Sequence, residues 1–229
     1  MSVVSPSLRD RVRGIATPVA LAMGRVGLTP NALTLIGFGG TVVAAIAAGL
    51  QAWILAGILV LVFGIFDLFD GTLARATGRA SRLGAFLDSV FDRWGEGIVY
   101  VGIVAGCLAA DFKEGAVLGA AAMASAFMVS YARAKSEGLG FTAGTGMAAV
   151  GLAPREVRLL ILTVGLVWAG LAGGVVTTDC GNLFCIDGML MAGDQPLFLS
   201  LALITILATI TVIQRIIHVV NQNRQQENT

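Results

Sequence analysis

The chain has 229 residues, 56% of them hydrophobic and only 13% charged, with a mean hydropathy of +0.86. Soluble domains run near half apolar and a quarter charged, so this is membrane composition, and a bundle of about 20-residue spans leaves no room for a Rossmann unit, a nucleic-acid module or a large soluble domain. The net charge of +1 matters less than where the 15 Lys and Arg residues fall.

Residues 1–27 come first. Arg9, Arg11 and Arg13 precede an apolar stretch from Ile15 that imitates a secretory leader, but the stretch is too short and Pro18 interrupts it. Leu8, Val12 and Ile15, four and three apart, predict instead an amphipathic helix lying on the cytoplasmic membrane surface. Six apolar runs follow, at roughly 31–50, 53–74, 84–110, 115–134, 157–177 and 197–219, each long enough to span a bilayer. The expected fold is an all-α integral membrane protein: a surface helix over 1–27, a six-helix transmembrane catalytic domain over 28–220, and a frayed polar tail over 221–229. Arg9, Arg11, Arg13 and Arg25 lie in the N-terminal segment, and Arg75, Arg79 and Arg82 in the second connection. Arg133, Lys135, Arg155 and Arg158 border the fourth, and Arg215 and Arg224 the C-terminal end. Lys113 alone falls in a connection on the other side, so the positive-inside rule puts both termini in the cytoplasm, as an even number of spans requires. In the last outer connection, Cys180 and Cys185 have no neighbouring His, which disfavours zinc and leaves a small disulfide or two free thiols; Cys107 reads as a buried apolar residue.

Between 53 and 110 the apolar pattern is broken by Asp67, Asp70, Asp88, Asp92, Arg93 and Glu96. A lipid-facing helix would lose about 2.5 kcal/mol or more for each centrally placed charge, so these groups face protein, water or a ligand. Asp67 and Asp70 are three apart and Asp88 and Asp92 four apart, so each pair shares a helix face, and the four converge at the cytoplasmic ends of two sequential spans. Four unneutralised carboxylates repel one another and lose hydration, which argues for bound cations. An all-oxygen set suits Mg²⁺ or Mn²⁺ over zinc and can hold two ions. The plain alternative pairs Asp67 and Asp70 with Arg75 and Asp92 with Arg93, but leaves an acid unmatched. Gly71, Ala74 and Gly84 strip side chains from the surface beside the acids, making room for a bulky ligand or, as small-residue rows also do, for another helix.

The pattern Asp67, two residues, Asp70-Gly71, two residues, Ala74-Arg75, eight residues, Gly84, three residues, Asp88, three residues, Asp92 resembles the signature of the CDP-alcohol phosphotransferases without a mismatch. The resemblance runs from about Pro30 to Arg215. It implies a membrane enzyme, usually a homodimer, that moves a phosphatidyl-type group from a CDP-linked donor to an alcohol and releases CMP. It implies Asp67, Asp70 and Asp88 as metal ligands and Asp92 as both a metal contact and the general base. Asp67, Gly71, Ala74, Arg75, Ser81 and Gly84 would receive the CDP moiety, with Asn31 and Thr34 on its pyrophosphate; capping of the first span by Thr29 or Asn31 is the alternative use of that segment.

The second substrate is read from the remaining cations. Arg133, Lys135, Arg155, Arg158 and Arg215 form a basic group opposite the acids if the bundle closes, suited to forked recognition of phosphate. With Ser130-Tyr131, Glu137-Gly138-Leu139 and Gln214, they are similar to the family's phosphatidylinositol phosphate synthase branch, which joins CDP-diacylglycerol to inositol 1-phosphate. That branch reads Arg-Pro-Glu-Arg-Leu where this chain has Arg155-Glu156-Val157-Arg158-Leu159, with Pro154 moved in front; the arginine spacing is kept. A phosphatidylglycerophosphate synthase or an archaeal enzyme using CDP-archaeol would also want a phosphate site. A divalent cation transporter would place its carboxylates near the bilayer midplane rather than at one end. The expected setting is the plasma membrane, with the active site on the cytoplasmic side.

Overall fold

The computed structural model describes residues 6–141, 150–175 and 193–227, with side chains from Ala16 onward apart from that of residue 226. Seven helices account for nearly all of it: α1 (Pro6–Arg25), α2 (Pro30–Gly49), α3 (Trp53–Ala76), α4 (Arg82–Ala109), α5 (Lys113–Gly138), α6 (Arg155–Leu171) and α7 (Asp194–Glu227). The apolar face proposed for Leu8, Val12 and Ile15, and the pair Cys180 and Cys185, lie outside the described side chains and residues. Cys107 is buried, as expected.

The helix starts follow local chemistry. Thr29 caps α2 by accepting from the Ala32 amide at 3.2 Å, with Pro30 in the first turn, and Ser81 caps α4 by accepting from the Gly84 amide at 3.0 Å. α1 runs on through Pro18 to Arg25. Two expectations change. α6 ends at Leu171 rather than near 177, because Gly173 (φ 97°) and Gly174 (φ 84°) take the left-handed conformation that stops a helix. α7 runs through most of the polar tail to Glu227, where Asn223 donates to Glu227 one turn on at 2.8 Å.

The helices from α2 to α7 pack in a closed ring in the order α2, α3, α6, α7, α5, α4, while α1 docks on α3. Chain order is therefore not spatial order: α2 lies against both α3 and α4. Its contact with α4 is close because a Cβ on Gly102 or Gly106 would strike the carbonyl oxygens of Ala45 and Ala48, so small residues let the backbones meet. The core gathers Trp53, Tyr100, Ile103, Leu166, Leu197, Leu201 and Ile204. A satellite cluster of Ala20, Leu33 and Leu73 fixes α1 beside α2 and α3. Outward faces are apolar too: Leu160, Val164, Trp168 and Leu171 form an exposed stripe on α6, and Val101, Val117 and Ile206 are exposed on α4, α5 and α7. A surface of that kind suits lipid. Among the described residues, α2, α3, α5 and α7 are long and apolar enough to cross a membrane; α4 has too many charges and α6 spans only 17 residues.

Candidate active site

The acids converge. One carboxylate oxygen from each of Asp67, Asp70 and Asp88 lies within 4.8 Å of the others. Asp67 and Asp70 come from the last turns of α3 and Asp88 from the second turn of α4, brought together although α2 stands beside both helices. α2 also takes part directly, since the Thr34 hydroxyl donates to Asp70 Oδ2 at 2.6 Å. The Gly71 amide donates to the other oxygen of Asp70. The buried Asp70 is thus oriented by two donors while Asp67 and Asp88 remain partly open. Three converging carboxylates of this kind fit a hard divalent cation, which accepts only oxygen ligands readily.

Asp92 stands at the edge of this group rather than within it. Its Oδ2 meets Arg155 Nη1 at 2.8 Å, and the same nitrogen meets Asp67 Oδ2 at 2.6 Å. The pairing of Asp67 and Asp70 with Arg75, and of Asp92 with Arg93, is not formed. Arg75 folds back toward Thr72, 3.4 Å away, and Arg93 reaches Glu96 at 3.9 Å. The cation that meets the acids comes from the N-terminus of α6, 88 residues beyond Asp67.

The two glycines beside the acids face polar groups rather than apolar side chains. A Cβ on Gly71 would stand 3.3 Å from the Arg75 guanidinium, and one on Gly84 would lie 3.1 Å from Ser81 Oγ and 3.5 Å from Asn31 Oδ1. Asn31, Ser81, Gly84, Gly71 and Arg75 therefore border one polar surface next to Asp67, Asp70 and Asp88. Ser81 is committed to capping α4, and it is Thr29, not Asn31, that caps α2. A small cavity runs inward from the acids past Thr34, Gly37, Phe38, Thr41, Phe91 and Gly95.

The five cations assigned to an acceptor phosphate divide. Arg155 touches the acids. Arg133 is exposed and pairs with Glu137 at 2.9 Å, and Lys135 is exposed. Arg158 and Arg215 are instead enclosed. Arg158 is 1% exposed and grips Glu96 with Nε and Nη2, both at 2.8 Å, while Nη1 donates to the Ala153 carbonyl at 2.8 Å. Arg215 donates to the carbonyls of Val150 (3.1 Å) and Val129. Arg133 and Arg158 are near enough to Arg215 to repel it. An apolar helix can carry such an arginine only by satisfying it, and here protein acceptors do so. Sequence reasoning flagged Glu96 only as a charge needing a partner. Thr211, which bonds the amides of Leu152 and Ala153, gave no signal, because a threonine in a membrane helix ordinarily bonds its own preceding turn.

Residues 27–222 match the CDP-alcohol phosphatidyltransferase family. The chain is 36% identical over 169 residues to an archaetidylinositol phosphate synthase of Pyrococcus horikoshii, covering 73% of this chain and 85% of that one. It is 32% identical over 209 residues to a phosphatidylinositol phosphate synthase of Cutibacterium acnes, covering 90% and 92%. Its fold is similar to the crystal structure of the Mycobacterium tuberculosis phosphatidylinositol phosphate synthase with CDP-DAG bound, at a TM-score of 0.73 and 26% identity over 90% of this chain and 93% of that one. The same enzyme in complex with manganese and citrate aligns at a TM-score of 0.72, 26% identity, 89% of this chain and 88% of that one.

Proposed function

We propose a reaction for this chain from one premise: it belongs to the CDP-alcohol phosphatidyltransferase family, and is therefore a transferase of phospholipid synthesis. The reaction is transfer of the phosphatidyl group of CDP-diacylglycerol, or its archaeol counterpart, to inositol 1-phosphate, with release of CMP. The observation that carries it is the convergence of Asp67, Asp70 and Asp88, with Asp92 and Arg155 at their edge, on a polar surface cleared by Gly71 and Gly84.

Asp67, Asp70 and Asp88 would hold the divalent cation, Mg²⁺ or Mn²⁺, with Asp92 in reach of a second. A cation bound there supplies positive charge for the diphosphate as the bond to CMP breaks. The chain's own residues do the rest. Thr34 and the Gly71 amide fix the Asp70 carboxylate. Gly71, Ala74, Arg75, Gly84 and Asn31 receive the cytidine and its phosphates, with Thr34 and Ser81 ordering the helix ends that present them. Asp92 takes the proton of the acceptor hydroxyl as its oxygen bonds to the phosphatidyl phosphorus. Arg155, Arg133 and Lys135 meet the acceptor phosphate; Arg158 and Arg215, from their contacts, serve by holding the backbone around it.

Six crossings by α2 to α7, with both termini and the acids on the cytoplasmic face, agree with the lysine and arginine distribution. In that arrangement 1–27 is the surface segment, 28–220 the catalytic domain, and two copies form a dimer. The charges that disqualify α4 by composition point inward, where Arg155 and Arg158 meet Asp92 and Glu96. The test is CMP release from CDP-diacylglycerol with Mn²⁺ or Mg²⁺ over inositol 1-phosphate, glycerol 3-phosphate, serine and inositol. Inositol 1-phosphate should give the highest kcat/KM. Preference for an unphosphorylated alcohol removes the acceptor assignment, and metal-independent release removes the mechanism.

A further inference from the structure

The strap in front of Arg155, residues 150–154, is held by buried side chains of α6 and α7. The Leu152 and Ala153 amides both donate to Thr211 Oγ1 at 3.0 Å, and that hydroxyl donates in turn to the Leu207 carbonyl at 2.8 Å. Thr211 is 0% exposed, and its single oxygen serves three hydrogen bonds. The strap is moulded to it: a Cβ at Gly151 (φ 122°) would strike the Thr211 methyl. Arg215, one turn further along α7, takes the Val150 carbonyl. Arg158 takes the Ala153 carbonyl and is fixed by Glu96, which stands one turn beyond Asp92 on α4. Two contacts thus join α4 to α6 in register, Asp92 with Arg155 and Glu96 with Arg158.

We infer that Thr211 and Glu96 are positioning residues for the transfer: they touch no reacting atom, and through the strap and Arg158 they set where Arg155 stands between Asp67 and Asp92. Backbone amides buried beside an oxygen that bonds them have one low-energy placement, so α6 begins at a fixed point. A guanidinium shared by two carboxylates is sensitive to that point, because a displacement near 1 Å costs about 100-fold where groups must align. The inference rests on the reading of Arg155 as an acceptor-phosphate contact, and it adds residues from α4 and α7 to those that decide how the acceptor meets Asp92.

The experiment uses the full chain in nanodiscs and compares Thr211→Val, which keeps the shape and removes the oxygen, with Thr211→Ser, which keeps the oxygen. Glu96→Asp is a secondary variant; Glu96→Gln strands a buried arginine and risks the fold. Thr211→Val should lower acceptor kcat/KM by about 10-fold to 100-fold. The KM for CDP-diacylglycerol should stay within about threefold and Thr211→Ser should restore the acceptor value, since of the groups that face the acids the strap leads directly into Arg155. A second readout needs no turnover: Mn²⁺ alone, titrated by calorimetry. Arg155→Ala should tighten Mn²⁺ by roughly tenfold or more, because it withdraws a cation from Asp67. Thr211→Val should shift the affinity the same way, and should do nothing further in the Arg155→Ala background. A Thr211→Val shift that persists undiminished without Arg155 overturns the inference, as does an equal loss for donor and acceptor that serine does not rescue. If the wild type releases no CMP with any acceptor, the proposed reaction fails, and the Mn²⁺ cycle still decides the positioning.

Discussion

At the scale of single residues, the four aspartates are not equivalent. Asp67, Asp70 and Asp88 share one point, whereas Asp92 is turned to Arg155. Replacing any of the three by Asn removes a charge from the proposed metal site, so Asp67→Asn, Asp70→Asn and Asp88→Asn should each lose turnover while the protein still inserts and folds. A variant keeping more than about a tenth of wild-type activity, a loss under roughly 1.4 kcal/mol, would show its carboxylate to be dispensable. Asp92→Asn should behave differently. Loss of a general base costs about 10² to 10⁴ in rate and leaves ground-state binding alone, so Mn²⁺ and CDP-diacylglycerol should still bind. Calorimetry of that variant beside Asp67→Asn checks it, and equal loss of Mn²⁺ binding in both would make Asp92 a ligand first.

At the scale of elements, the α2 and α4 contact sets how near Thr34 comes to the α4 acids. Gly102→Ala places a methyl against the Ala45 carbonyl, and overpacking of this kind costs about 1 to 3 kcal/mol. The variant should unfold at a lower temperature in detergent, and an unchanged Tm would mean the helices separate without cost. This contact also marks what a sequence can disclose. The acids were legible because their spacing puts each pair on one face, and four of the six long helices, α2 to α5, begin and end within about four residues of the apolar runs. The partner of the acids was not legible. Arg158 and Arg215 stand one turn into apolar segments, but all three of Arg155, Arg158 and Arg215 read as phosphate contacts, and only the ring order decides which meets Asp67 and which are enclosed by Glu96 and backbone carbonyls. The stop of α6 was missed because apolar glycines keep hydropathy high while taking positive φ.

At the scale of the whole molecule, the four aspartates and Arg155 gather at one end of α3, α4 and α6 and apolar faces look outward. The proposed six crossings would place the α3–α4 connection and the α4–α5 connection on opposite faces. In a background with Cys107, Cys180 and Cys185 replaced, Arg79→Cys and Asp111→Cys should react with a membrane-impermeant maleimide from opposite sides, Arg79→Cys from the cytoplasm. Labelling of both from one side would show that α4 does not cross. The ring has a further consequence in time. Asp67 and its arginine are 88 residues apart, and at about 5 to 20 residues per second a ribosome needs roughly 4 to 18 s to deliver the second after the first. Through that interval the half-built protein has its carboxylates in place before α6 can slot between α3 and α7, so the nascent chain must keep these acids hydrated at the membrane edge until its own cation arrives.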